Sequence, residues 1–99
     1  MIYNVVLKPR SEINLLDIKK NNIKDYSYLI DALEDLETNW LKSANIKNIW
    51  NSIFRKRVWR YRILFTTYLN DIIVWIIEIE KDTKKDYKIW INYINKNRL

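Results

Sequence analysis

Eight consecutive residues, Arg55-Lys56-Arg57-Val58-Trp59-Arg60-Tyr61-Arg62, interleave five cations with two aromatic rings. Guanidinium and ammonium groups pair with phosphate oxygens, and exposed rings stack on unpaired bases, so this composition suits a single strand of nucleic acid, RNA rather than DNA. Arg55, Lys56, Arg57, Arg60 and Arg62 are therefore the candidate nucleic-acid-binding residues. A second basic group, Lys81, Lys84, Lys85 and Lys88 around Tyr87, either extends that surface or forms a solvated helix face. The same residues allow a purely structural account. With a three-residue turn at 69–71, Arg60 faces Glu80 and Arg62 faces Glu78, and both arginines are then used in cross-strand ion pairs. That account buries Trp59 and Tyr61 beneath the sheet.

Conventional enzyme chemistry finds little support. The chain has neither cysteine nor histidine, which removes thiolate nucleophiles, imidazole bases and the usual ligands of zinc and transition metals. There is no glycine-rich phosphate loop and no ligand set with metal spacing, so neither a cofactor nor a metal is expected. Glu78 and Glu80 share a strand face, but a glycosidase-type pair needs a cleft that 99 residues hardly offer.

The elements that must position these residues can be read from hydrophobic period. The segment 2–7 is short and β-branched and is expected to be a strand that Pro9 ends. Ser11 then caps a short helix through Ile18. Tyr26, Leu29, Leu33, Leu36 and Trp40 recur at spacings of three and four and predict an amphipathic helix from about Asp25, with Asp31, Glu34, Asp35 and Glu37 on its polar face. That acidic face is solvated or meets a basic partner. Ser43 caps a predicted third helix bearing Ile46, Ile49, Trp50 and Ile53.

From Val58 the period changes to two. Trp59, Tyr61, Ile63 and Phe65 take one strand face, and Arg60, Arg62 and Leu64 the other. A turn at Leu69-Asn70-Asp71 leads into a central strand over 72–80, completing a hairpin. Asp82 or Thr83 then caps a last helix carrying Tyr87, Trp90, Ile91 and Ile94. Trp40, Trp50, Trp75 and Trp90 are expected in the core. The fold class is α+β: a small antiparallel sheet, made of the N-terminal strand and the 58–80 hairpin, against about four helices.

Length and composition bound the rest. At 99 residues and 48% hydrophobic, with five Trp, seven Tyr and two Phe, the chain is expected to fold as one domain, 1–99, around one modest core. The net charge of +6 is lopsided: residues 1–42 carry six bases and seven acids, and residues 43–99 carry twelve bases and five acids. Such a field favours polyanionic partners. The longest apolar run, 72–77, is far short of a membrane span, and the first residues lack the pattern of a signal peptide, so an intracellular protein is expected. Abundant Ile, Lys and Asn reflect either an A+T-rich genome or physical selection. Many charges without cysteine suit a thermostable protein, whereas the many asparagines do not.

Three stretches resemble the RelE/ParE toxin superfamily: 3–9, Tyr-Asn-Val-Val-Leu-Lys-Pro; 60–65, Arg-Tyr-Arg-Ile-Leu-Phe; and 84–87, Lys-Lys-Asp-Tyr. The resemblance implies a small sheet with helices on one side and, in the RelE branch, ribosome-dependent cleavage of messenger RNA without metal. It implies that Arg62 contacts the phosphate, Lys85 supports the developing charge and Tyr87 is the general base. It also implies a neutralising protein partner. The helix expected after Ser43 is an addition to that family's order. In composition the chain also resembles small proteins of crenarchaeal filamentous viruses, which implies no activity. The competing expectation is a non-enzymatic interaction or structural module that self-associates, as a homodimer, through an aromatic helix face or a sheet edge.

Overall fold

A computed structural model describes residues 3–79 and 87–98. The described elements run β1 (Asn4–Leu7), α1 (Pro9–Asn21), α2 (Ile23–Asn39), a single 3-10 turn (Trp40–Lys42), β2 (Ile46–Trp50), β3 (Ile53–Val58), β4 (Tyr61–Tyr68), β5 (Asp71–Ile79) and α3 (Lys88–Lys96). The architecture is α+β, with a five-stranded sheet in the order β1-β5-β4-β3-β2.

Two layers of side chains sandwich this sheet. On one face α1 and α2 bring Leu15, Leu29, Leu33 and Leu36 against Tyr61, Ile63, Phe65, Ile72, Val74 and Ile77. On the other face α3 brings Ile94, Trp90 and Ile91 against Ile53, Leu64, Trp75 and Ile76. The predicted stripe of α2 is the inner face of the first layer, and its three-and-four spacing is what a helix needs to keep one side in the core.

The expected architecture needs four corrections. The third helix does not form; the segment after Ser43 is the antiparallel pair β2–β3. Asn45 and Asn51 take φ of 63° and 45°, a left-handed geometry that asparagine tolerates in turns and that interrupts a helix. Ile46 packs in the α1/α2 layer and Ile49 in the α3 layer. An odd spacing of three does that in a strand, whereas in a helix it keeps one face. Three α-helices are therefore described rather than about four.

The sheet is also mixed rather than antiparallel, because β1 runs parallel to β5, with Val5 beside Ile72 and Leu7 beside Val74. Its connection to β5 passes through α1, α2 and three other strands, long enough for the chain to return in the same direction. Ser11 is not the cap of α1. Lys8 holds that position and Pro9 opens the helix, where a missing N–H and a fixed φ cost nothing. Ser11 is instead buried, with Oγ 2.7 Å from the Lys8 carbonyl and 2.9 Å from that of Val74, which ties α1 to β5.

Finally, Trp50 is exposed rather than core, while Trp75 is buried and Trp40 and Trp90 are half-buried. It lies on β2, the edge strand, where no further strand among the described residues pairs with it. The expected caps Asp82 and Thr83 lie outside the described residues, as do Glu80 and Lys85.

Candidate nucleic-acid interface

The basic segment is divided by the strand period. Arg55 stands opposite Leu64, and Arg57 opposite Arg62, across β3 and β4. Leu64 belongs to the α3 layer, and paired residues of an antiparallel ladder share a face. Arg55, Arg57 and Arg62 therefore share the α3 face of the sheet. Lys56 lies between them and points to the other side, nearly buried, where its ammonium donates to Asp35 at 3.3 Å, Ser43 at 2.6 Å and the Ala44 carbonyl at 2.9 Å.

Trp59 and Arg60 are not strand residues. They form a two-residue turn between β3 and β4, with Trp59 at φ 53°. Trp59 is consequently exposed, resting edge-on against Tyr28 at 5.8 Å between centroids. Arg60 reaches back to the start of α2, and its Nη2 and Nε donate to Asp25 at 2.6 and 3.1 Å. The Tyr61 hydroxyl donates to the same carboxylate oxygen at 2.6 Å. This carboxylate is buried, and the Tyr61 bond, followed by Arg60, holds its pKa below the usual aspartate value despite desolvation. Burial and the neighbouring Asp25 push the Tyr61 hydroxyl up. Asp25 had no place among the sequence-derived candidates; an acid in the first turn of a helix was its only signal.

Arg62 is the most enclosed of the segment's arginines. It lies opposite Glu78, as the hairpin register predicts. The turn is one residue tighter than expected, pairing Tyr68 with Asp71, and a bulge at Trp75 restores the register beyond it. The Arg62 guanidinium bonds and ion-pairs with the Glu78 carboxylate. Its Cζ lies 5.0 Å from the centroid of the Tyr87 ring, a cation–π distance. Tyr87 is half-buried and forms the N-cap position of α3.

Two guanidinium N–H groups on this face, Arg62 Nη1 and Arg55 Nε, are buried with no hydrogen-bond partner among the described residues. An orphaned charged donor is costly, and a phosphoryl oxygen is a ligand that relieves the cost. The structure thus brings Arg55, Arg57, Arg62 and Tyr87 to one face, and places Lys56 and Arg60 in internal bonds elsewhere. Among the described residues no group of three acidic side chains is arranged to hold a metal, and no helix is long and apolar enough to cross a membrane.

No protein-family model matches the chain, and no curated protein matches it in sequence. Solved structures do match its fold. The archaeal RelE–RelB complex from Pyrococcus horikoshii aligns with a TM-score of 0.71 at 14% identity, covering 84% of this chain and 100% of that one. The YoeB/ParE toxin from Agrobacterium tumefaciens gives 0.70 at 7% identity, over 79% and 99%. The YoeB dimer from Staphylococcus aureus gives 0.66 at 14% identity, over 82% and 100%. The fold of this chain resembles that of the RelE, YoeB and ParE toxins.

Proposed function

We propose that this protein is a RelE-like toxin that binds RNA on the α3 face of its sheet and cleaves messenger RNA on the ribosome. The observation that carries the reading is the pair of orphaned guanidinium donors, Arg62 Nη1 and Arg55 Nε, on the face that also holds Tyr87. In such a cleavage the phenolate form of Tyr87 takes the proton of the ribose 2′-hydroxyl, becoming the neutral phenol, as the 2′-oxygen forms a new P–O bond. The P–O5′ bond breaks, and the leaving O5′ takes a proton from solvent. Arg62 and Arg55 hold the phosphoryl oxygens where negative charge accumulates, and Lys85 adds to that field. Neither a metal nor a cofactor has a part in this chemistry.

Arg57 extends the phosphate-binding surface along β3. The toxin–antitoxin complexes among the structural neighbours support a neutralising protein partner for this chain, and the dimer among them supports self-association. The site is tested by adding purified protein to ribosomes programmed with a defined message and mapping new 5′ ends. Cleavage that disappears in Arg62→Ala and in Tyr87→Phe supports the assignment. Cleavage unchanged in both variants overturns it.

A second reading rests on the Arg62–Glu78 pair. If that pair serves only to hold the hairpin, the protein is a binding module without catalysis. RNA binding with no cleavage, on ribosomes or off, is its signature.

A further inference from the structure

A second concavity opens on the α3 face, away from Arg62. It has a volume of about 280 Å³ and lies among Lys8, Ser52, Thr66, Tyr68, Trp75 and Arg98. Two of these side chains are cations, three carry hydroxyls, and none is a carboxylate. Lys8 Nζ lies 5.1 Å from the Trp75 ring centroid, so the indole holds the ammonium over the pocket floor. The indole is itself fixed, because Trp75 is buried and its Nε1 donates to Thr66 Oγ1 at 2.9 Å. On the other side Arg98 Nη2 donates to Ser52 Oγ at 2.8 Å. Lys8 is also the residue from which α1 starts, so the positive end of that helix dipole adds to the same field.

We propose that this pocket is a phosphate-binding site, separate from the Arg55–Arg62 cluster on the same face and built to take one phosphate group between Lys8 and Arg98. Two cations flank the group, and the hydroxyls of Ser52 and Thr66 donate to the remaining oxygens. Trp75 serves as a wall and not as a base-stacking platform, since its face is already covered by Lys8. Thr66 and Arg62 point to the same side of β4, four residues apart, which is about 13 Å along a strand. One RNA strand can therefore reach both sites, and a free phosphate or nucleotide can occupy the pocket alone.

The test is a titration followed at the Trp75 indole N–H by 15N NMR, assigned with Trp75→Phe, using inorganic phosphate at low ionic strength. A saturable shift is expected, at least tenfold weaker in Lys8→Gln and in Arg98→Gln, and within twofold of the parent in Arg62→Gln. The Lys8 side chain makes no capping hydrogen bond and Arg98 is exposed, so both variants keep the fold, which thermal melts check. Oligoribonucleotides with and without a 5′-phosphate distinguish the source. A shift with both identifies a backbone phosphate, and a shift only with the phosphorylated strand identifies a terminal one. No saturable shift with any of these anions overturns the site, as does a shift retained at full affinity in Lys8→Gln/Arg98→Gln, or one lost in Arg62→Gln when thermal melts show that variant to be folded. Failure of ribosomal cleavage leaves this result untouched, so the two proposals fail separately.

Discussion

Arg62 and Glu78 face each other across β4 and β5 as an ion pair, and one aromatic ring, Tyr87, lies over the guanidinium. A buried guanidinium that loses its carboxylate is left uncompensated, and such losses cost about 3–5 kcal/mol. Glu78→Ala is therefore expected to lower stability by about 3 kcal/mol. RNA or phosphate should restore part of the loss by taking the vacated position. Urea denaturation with and without an oligoribonucleotide reads both effects. An unchanged midpoint shows that the pair contributes nothing to the fold.

Tyr87→Phe keeps the ring over Arg62 and removes only the hydroxyl. Stability should stay within about 0.5 kcal/mol of the parent. Ribosome-dependent cleavage should fall by about a hundredfold or more, the scale of a lost general base. A variant that cleaves normally removes Tyr87 from the proton transfer.

The alternation along β3 separates two kinds of basic residue. Arg55→Gln, on the α3 face, should weaken RNA binding and reduce the slope of log K against log salt by about one. Lys56→Gln, on the opposite face with three internal acceptors, should leave that slope unchanged and destabilise the protein by about 1–3 kcal/mol. Fluorescence anisotropy across a salt series, with denaturation of the same samples, distinguishes them. Equal slopes for the two variants contradict the division of the segment by face.

Acid should unfold the protein partly through Asp25. Its pKa is lowered by the Tyr61 hydroxyl and then by Arg60, and that of Asp35 is lowered by Ser43 and then by Lys56. A carboxylate whose pKa is lower folded than unfolded contributes stability that is present above the unfolded value, near 3.8 here, and lost as pH falls through the folded one. The Tm should hold above about pH 5 and drop below about pH 4. In Asp25→Asn the drop should be shallower and the plateau lower. Calorimetry from pH 2 to pH 7 would show the idea mistaken if the two profiles were parallel.

The core makes a plainer prediction. Phe65 is fully buried, stacked on Phe54 at 5.6 Å and edge-on to Trp40 at 6.0 Å. Phe65→Ala should cost about 3–5 kcal/mol, whereas Trp59→Ala, on an exposed turn, should stay within about 0.5 kcal/mol. Chemical denaturation of the two variants makes the comparison.

Sequence by itself determined what depends on local period. The helix α2 is legible because Leu29, Leu33 and Leu36 repeat at helical spacing, and β4 because Tyr61, Ile63 and Phe65 alternate. The facing of Arg62 and Glu78 is legible because a hairpin counts residues outward from its turn. The resemblance to the RelE/ParE superfamily could likewise be read from three short stretches and is matched by the fold.

Tertiary structure decided what local period leaves degenerate. Ile46, Ile49 and Ile53 fit a helical stripe and a strand pair equally well, and left-handed Asn45 and Asn51 select the strands. Nothing in the segment 2–7 specifies its pairing direction, which is set by the long connection that brings β5 back alongside β1 in the same direction. A run of five cations likewise has no sides until it is paired. The ladder to β4 turns Arg55, Arg57 and Arg62 toward α3 and Lys56 toward Asp35, and the turn at Trp59 hands Arg60 to a carboxylate 35 residues earlier. Charge composition is a property of the chain, but which charges reach one ligand depends on face and register.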